Sequence, residues 1–365
     1  MPITEITPIY AAPRLGTCRA VHVSARHVPV TVRGRRPWSQ PVIRGHRPEG
    51  ILPTNTSMRV SVLIVGYRNL RHLDACIGGA IRSLEGVDGE ILFIDCSNDG
   101  SEAFVRGRFP GVRVLPFAGN LGFGRGNNHL AREARGEYLL LLNPDTIPRA
   151  DELARLVALA DAHPRAGACG GRCVFPSGQP DLGSHQPMLD VRGMVLAALG
   201  LAKLRSGALP LDARAPQRVA VISGAFMLVR RTLWEQLGGF DELFFMYTEE
   251  VDLCRRIADT GQELWADPSI VMIHDAGSGD PDNPKKRLQL LRGNATFFRK
   301  HYAPFAASVG CMAMLANEAI RLAYARTLLR VLNPARARAL GDRCAHAVRN
   351  RAEWWPGWPP GMRFE

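Results

Sequence analysis

From Met58 onward the apolar positions fall into short runs separated by longer, helix-period stretches. Arg59 to Gly66, Glu90 to Asp95, Val112 to Leu115 and Tyr138 to Leu142 are runs rich in branched apolar residues, which predicts four strands. Asn69 is placed to cap a helix through about Leu84, Gly126 to Ala134 reads as helical, and Asp151 to Ala162 forms another helix after the fourth run. Strands alternating with helices predict an α/β fold, with a mostly parallel sheet flanked by helices on both faces. Tyr138 to Leu142 is uninterrupted, as befits a strand buried on both faces, and it stops at Asn143-Pro144-Asp145. Proline cannot continue a central strand, so the chain leaves the sheet here. Asn143 and Asp145 are thereby set at the carboxyl edge of the sheet, where ligands bind in open α/β folds.

Further along the regularity lapses. Val174 to Gln217 is rich in Gly, Pro and Ser, which predicts a loop or lid with one helix from Met194 to Leu204. Ala220 to Val229 predicts a strand, Glu249 to Thr260 a helix, and Ile270 to Ile273 a last short strand ending at His274. The flanks differ from this centre. Residues 1–57 carry eight prolines and eight arginines against only Glu5 and Glu49, the composition of a flexible basic arm. Residues 281–365 open with Lys285-Lys286-Arg287 and mix basic with apolar positions, predicting a basic, amphipathic helical extension. Such a segment suits either a membrane interface or packing against the catalytic part. Its tail, with Trp354, Trp355 and Trp358 among prolines, is expected to be loosely ordered unless it docks. The expected organisation is therefore an arm (1–57), a catalytic domain (58–280) and a C-terminal segment (281–365).

Charge and cysteine content sharpen this picture. The net charge of +12 calls for an anionic partner: nucleic acid, an acidic membrane surface or a phosphorylated substrate. The basic residues concentrate in the terminal segments and no nucleic-acid motif is present, so no nucleic-acid partner is expected. The eight cysteines are scattered, with Cys169 and Cys173 the only close pair, and read as reduced thiols. No stretch reaches the ~18 uninterrupted apolar residues of a membrane span, and the start of the chain lacks a signal-peptide core. The expected location is the cytoplasm, with peripheral attachment to the inner face of the membrane.

Four groups of residues carry candidate chemistry. Asp95 ends the second strand and opens Asp95-Cys96-Ser97-Asn98-Asp99-Gly100-Ser101, where a carboxylate can bond a base or ribose, and Ser101 can equally cap a helix. Gly119-Asn120-Leu121-Gly122-Phe123-Gly124 lets the backbone approach a nucleotide. It is no dinucleotide fingerprint, because Asn127 stands where the third glycine belongs. Asn143 and Asp145 are the third group, suited either to a divalent cation or to capping a helix. The fourth is an aromatic run, Phe244 to Tyr247, leading into Glu249, Glu250 and Asp252 at a helix start, where carboxylates are electrostatically favoured in any case.

Taken in this order, the pieces resemble family 2 glycosyltransferases of the GT-A fold, in particular the rhamnosyltransferase-like branch of bacterial surface polysaccharide synthesis. The resemblance runs from about Val60 to Ser278 and includes Val62 to Asn69, Leu142 to Asp145, Ser223 to Met227, Gly239 through Cys254, and Ile273-His274. It implies a nucleotide-sugar donor, a saccharide or lipid-linked acceptor, and Mg²⁺ or Mn²⁺. It implies nucleotide binding by Tyr67, Asn69, Asp95, Asn120, Gly122, Phe123, Asn127 and Asn143. Asp145 and His274 are the implied metal ligands, and Glu250, or its neighbour Glu249, the implied base. Two positions depart from the family pattern. Asn143 replaces the leading Asp of the metal motif, and Glu250 stands where an Asp is usual. Those departures leave a non-catalytic relative, binding sugar nucleotides or scaffolding an assembly, as the alternative.

Overall fold

The computed structural model describes residues 58–201, 207–275 and 283–359. The basic arm expected over 1–57 lies outside the described residues. The first four strands stand where the apolar runs put them: β1 (Val60–Gly66), β2 (Gly89–Asp95), β3 (Arg113–Leu115) and β4 (Tyr138–Leu142). Alternate residues of these runs enter opposite apolar layers: Leu63, Leu92 and Leu141 on one side, Ile64, Phe93 and Leu140 on the other. A strand that must be apolar on both faces has no polar alternation, which is why these segments read as continuous runs.

The remaining strands are β5 (Thr146–Ile147), β6 (Ala166–Val174), β7 (Gln217–Arg218), β8 (Phe226–Arg230) and β9 (Glu263–His274). They build a sheet of order β3-β2-β1-β4-β8-β6-β9-β5, with β7 also on β9. The mostly parallel character expected of the sheet is found in β1 to β4 and in β6 with β9. β8 runs antiparallel to both β4 and β6, and β5 antiparallel to β9, so the sheet is mixed. β6 was not foreseen, because Ala-Gly-Ala-Cys-Gly-Gly carries neither branched residues nor alternation. β9 is far longer than the expected Ile270–Ile273: Asp267 and Pro268 interrupt its apolar pattern, and the register with β6 jumps there from Gly171 opposite Asp267 to Arg172 opposite Val271, but the strand continues across the irregularity.

On one face lie α1 (Leu70–Ser83), α2 (Ser101–Arg108) and α4 (Glu152–Ala162). The other face carries α3 (Gly122–Glu133), α6 (Arg231–Leu237) and α7 (Glu249–Asp259). Two expected caps are replaced. Asn69 accepts from Tyr67 N–H at 3.1 Å instead of from α1, and Ser101 N–H donates to Asp99 at 3.1 Å behind a Gly100 cap. Among the described residues of the irregular middle the helix is α5 (Val191–Ala198), which starts three residues before the expected Met194 and ends at Ala198. Seven described cysteines are buried free thiols.

The C-terminal segment forms α8 (Pro284–His301), α9 (Pro304–Arg326), α10 (Leu328–Leu332), α11 (Pro334–Arg349) and α12 (Arg351–Trp354). All described residues belong to one compact unit, Asn55–Glu365. Leu291, Phe297 and Phe298 of α8 are buried in the same apolar layer as α7 and β4, so the change of sequence character near residue 280 marks no break in the core. Nor is the tail loose: Trp354 and Trp358 are buried in that layer, and Trp358 N–H donates to Thr296 Oγ1 at 2.7 Å.

One buried charge ties α7 to α8. Asp252 is fully buried and meets Arg256 at 2.8 Å, Lys300 at 2.7 Å and His301 at 2.8 Å. Burial pushes its pKa up, but the His301 hydrogen bond and the Arg256 and Lys300 charges overcome this and hold it down at about 2. A carboxylate depressed below its unfolded value stabilises the fold above that unfolded value, and the stabilisation is lost as pH falls toward the folded one. Asp252→Asn should therefore cost about 3 kcal/mol at pH 7 by taking the shared carboxylate away from Arg256, Lys300 and His301, which are all part-buried. The gap from wild type should narrow between about pH 4 and pH 2. Urea denaturation at several pH values checks this, and a pH-independent gap contradicts it.

Candidate active site

The carboxyl ends of β1 and β4 open onto a cavity of about 510 Å³. Its floor is the turn after β4. Asn143 N–H donates to Ala225 O at 3.1 Å and Thr146 N–H to Asn143 O at 3.0 Å, so the chain reverses sharply at Pro144-Asp145. β5 then pairs with the end of β9, with Thr146 opposite His274, and Asp275 N–H donates to Asp145 O at 2.8 Å. That register brings Asp145 Oδ1 to 3.5 Å from His274 Nε2, although 129 positions separate the two residues in the chain.

His274 is held from its other side. Its Nδ1 lies 3.1 Å from Asp181 Oδ2. Burial alone would push the imidazole pKa down, but the two carboxylates raise it to about 9. Asp181 belongs to no motif of the sequence. It reaches His274 because the chain turns back after β6 and returns alongside it, with Asp181 N–H donating to Cys173 O at 2.9 Å.

The far wall is the start of α7. Tyr247 and Thr248 sit in the left-handed region, at φ of 65° and 74°, which β-branched and bulky residues adopt only under constraint. α8 supplies that constraint. The Thr248 hydroxyl donates to Asn294 Oδ1 at 2.9 Å, and a Cβ on Gly293 would stand 2.5 Å from Tyr247 O, so only glycine lets α8 close on this loop. The turn delivers Glu249 and Glu250 to the cavity. Glu249 is buried, with Oε2 lacking any hydrogen-bond partner, and burial followed by the Glu250 charge pushes its pKa well up. Glu250 is half-buried and its pKa is raised by burial. Both are more basic than free glutamate.

Tyr67 and Asn69 after β1, and Asn120, Gly122 and Phe123 at the head of α3, line the same cavity. Gly122 has φ of 72°, and a Cβ there would meet Phe245 O at 2.4 Å. The glycine loop thus serves close packing against the α7 entry as well as approach to a ligand. Of the residues singled out in sequence, Tyr67, Asn69, Asn120, Gly122, Phe123, Asn143, Asp145, Glu249, Glu250 and His274 all line this cavity. Asp95 and Asn127 do not. Asp95 is buried, with Oδ1 accepting from Ser97 N–H and Oγ at 2.8 Å each, and its neighbour Cys96 faces the cavity instead. Asn127 is buried one turn into α3, where Nδ2 donates to Phe123 O at 3.0 Å. Lys285 and Lys286, at the first turn of α8, line the cavity too. Their charge was visible in the sequence, but not their place.

Comparison with known proteins agrees with this geometry. The model of glycosyl transferase family 2 matches residues 61–238. N-acetylglucosaminyl-diphospho-decaprenol L-rhamnosyltransferase of Mycobacterium tuberculosis is 30% identical over 243 residues, covering 62% of this chain and 79% of the relative. Rhamnosyltransferase WbbL of Escherichia coli K12 is 31% identical over 170 residues, covering 43% of this chain and 62% of the relative. Among solved structures, the mannosyltransferase PcManGT of Pyrobaculum calidifontis, in complex with GDP-Man and Mn²⁺, superposes with a TM-score of 0.54 at 18% identity, over 81% of this chain and 86% of that one. At that identity the likeness establishes the GT-A fold alone. With a relative 30% identical of which this chain covers 79%, this chain belongs to glycosyl transferase family 2, in its rhamnosyltransferase-like branch.

Proposed function

We propose that this glycosyltransferase moves L-rhamnose, or a related deoxy sugar, from a nucleoside diphosphate to a hydroxyl of a lipid-linked saccharide, with inversion at the anomeric carbon. The observation that carries the reading is the convergence of Asp145, His274 and the Glu249–Glu250 pair on one cavity that Tyr67, Asn69, Asn143 and Phe123 also line. Rhamnose and the lipid-linked acceptor are suggested by what the two curated relatives are named for.

The donor set fits a divalent cation. Asp145 Oδ1 and His274 Nε2 face each other at 3.5 Å beside open cavity. Among the described residues no group of three or more acidic, His or Cys side chains is placed to hold a metal, so two protein donors would share the ion with a diphosphate. Mg²⁺ or Mn²⁺ bound there would neutralise the charge of the leaving diphosphate. The chain's own groups do the rest. Tyr67, Asn120, Asn143 and Phe123 orient the nucleotide, and Lys285 and Lys286 add positive charge at the cavity mouth. Glu250, half-buried and raised in pKa, accepts the proton of the attacking hydroxyl. Glu249, its buried neighbour, lines the same cavity. A single displacement needs no enzyme nucleophile.

The second partner is an anionic membrane surface. Pro304–Leu332 is long and apolar enough, by length and composition, to cross a membrane, with 33% of its most apolar window buried. Its packing against α5, α8 and α11 favours lying along the interface. Phe305, Met312, Ile320 and Tyr324 are exposed at spacings that keep them on one side of α9, and Leu328 and Val331 are exposed on α10 beyond Thr327, with Phe305 and Val331 each 82% exposed. Exposed Arg321, Arg326 and Arg330 accompany this stripe, suiting acidic headgroups. The stripe supports attachment to a membrane surface, which in this reading is the cytoplasmic face, beside a lipid-linked acceptor.

Glu250→Gln should lower kcat by ~10²–10⁴-fold with donor binding nearly intact. It should also remove an acidic limb in the pH–rate profile that lies above the ordinary glutamate range of about 4.3. A Gln variant transferring sugar at the wild-type rate contradicts the assignment. For Asp145→Ala, calorimetry should show Mn²⁺-dependent tightening of nucleotide-sugar binding disappear; tightening equal to wild type counts against the metal role. The paired substitution Phe305→Ser with Val331→Ser should reduce flotation on phosphatidylglycerol vesicles several-fold, and undiminished flotation removes the membrane reading.

A further inference from the structure

Asp181 has both carboxylate oxygens committed. Oδ2 lies 3.1 Å from His274 Nδ1, and Oδ1 accepts from Gly183 N–H at 2.8 Å. The backbone around it is held as firmly. Asp181 N–H donates to Cys173 O at 2.9 Å, while Asp181 O accepts from Ser184 N–H at 3.1 Å and Ser184 Oγ at 2.7 Å. Val174, the last residue of β6, bridges Pro180, and β6 pairs with β9 up to Val174 opposite Ile273. The turn-back after β6 therefore ends where β9 ends, which places this carboxylate beside the ring.

Asp181 does not line the cavity, whereas Asp145 and His274 both do. The two carboxylates meet different nitrogens of one imidazole, Asp145 at Nε2 and Asp181 at Nδ1. An imidazole can bind a cation through either nitrogen, and a hydrogen bond at one decides which is left for the metal. We infer that Asp181 is a positioning residue: it accepts the Nδ1 proton of His274, fixes the ring plane, and presents Nε2 to a divalent cation shared with Asp145. This rests on the metal reading above and adds a part that no motif of the sequence announces. A partner of this kind typically contributes 10–100-fold, roughly, to metal affinity.

The test is a Mn²⁺ titration of the full chain, with and without a nucleoside diphosphate, read by the electron paramagnetic resonance of free Mn²⁺. It compares wild type, Asp181→Ala, His274→Ala and the double variant, with Asp181→Asn as a size-conserving control and circular dichroism as the check of folding. Asp181→Ala should weaken Mn²⁺ binding roughly 10–100-fold, with Asp181→Asn weaker than wild type as well. In the His274→Ala background the Asp181 substitution should change nothing further, because its effect passes through the ring. Wild-type affinity in both Asp181 variants overturns the inference, and so does an equal further loss in the double variant, which would make Asp181 a direct ligand or a general prop of the fold. Should wild type itself fail to bind Mn²⁺, the metal reading falls and this inference with it. Normal wild-type binding lost in His274→Ala, beside a silent Asp181, sinks this inference alone.

Discussion

The short pairing of β5 with β9 is the constraint on which the site depends. A two-residue strand, Thr146–Ile147, contributes little stability of its own. Its register is nevertheless decisive, because setting Thr146 opposite His274 leaves Asp145 next to the imidazole. A slip by one residue would turn every side chain of the strand to the opposite face and part the two. The proline between Asn143 and Asp145 makes the slip costly, since the turn ends β4 at a fixed point and the chain enters β5 directly.

The helical C-terminal segment is part of the same construction. α8 holds the Tyr247–Thr248 turn in a backbone conformation that such residues resist, and that turn aims the two glutamates. The ion cluster at Asp252 fastens the first turn of α7 to the last turn of α8, two residues along from the candidate base. Two opposite uses of buried acid thus sit within four residues. Asp252 is surrounded by cations and stays ionised, whereas Glu249 is buried without a cationic partner and its pKa rises. The first is a structural pin; the second belongs to a reactive pocket.

The outward side of α9 completes a division of labour within this segment. Its inner side, including Ala307, Cys311 and Met314, is packed into the core, while Phe305, Met312 and Ile320 remain uncovered. A helix apolar on both sides is suited to a protein that must meet its own core and a lipid surface together. In the proposed function, basic residues near the uncovered side would meet acidic headgroups, and Lys285 and Lys286 would meet the donor's phosphates.

Much of this was written in the chain itself. The strands β1, β2 and β4, the break at Pro144 and the acidic start of α7 follow from local chemistry: continuous apolar runs, a residue that cannot remain in a sheet, and carboxylates at a helix start. Ten of the residues marked for chemistry line the cavity because each sits at the end of a strand or the start of a helix, and such ends share one edge of the sheet. β6, the antiparallel β8 pairings and the docking of Trp354 and Trp358 were not legible. Small residues carry no periodic signal, and strand direction depends on partners rather than on the strand's own sequence. Asp95 and Asn127 looked like ligand contacts, but only packing shows that their side chains turn inward to Ser97 and Phe123. Asp181 was invisible for the same reason. Its sequence surroundings are those of any polar turn, and its meaning arises only when residues from two strands almost a hundred positions apart end side by side. Sequence fixes what each element must be, because propensity and burial act over a few residues; which ends meet is a long-range matter, settled only when the sheet closes.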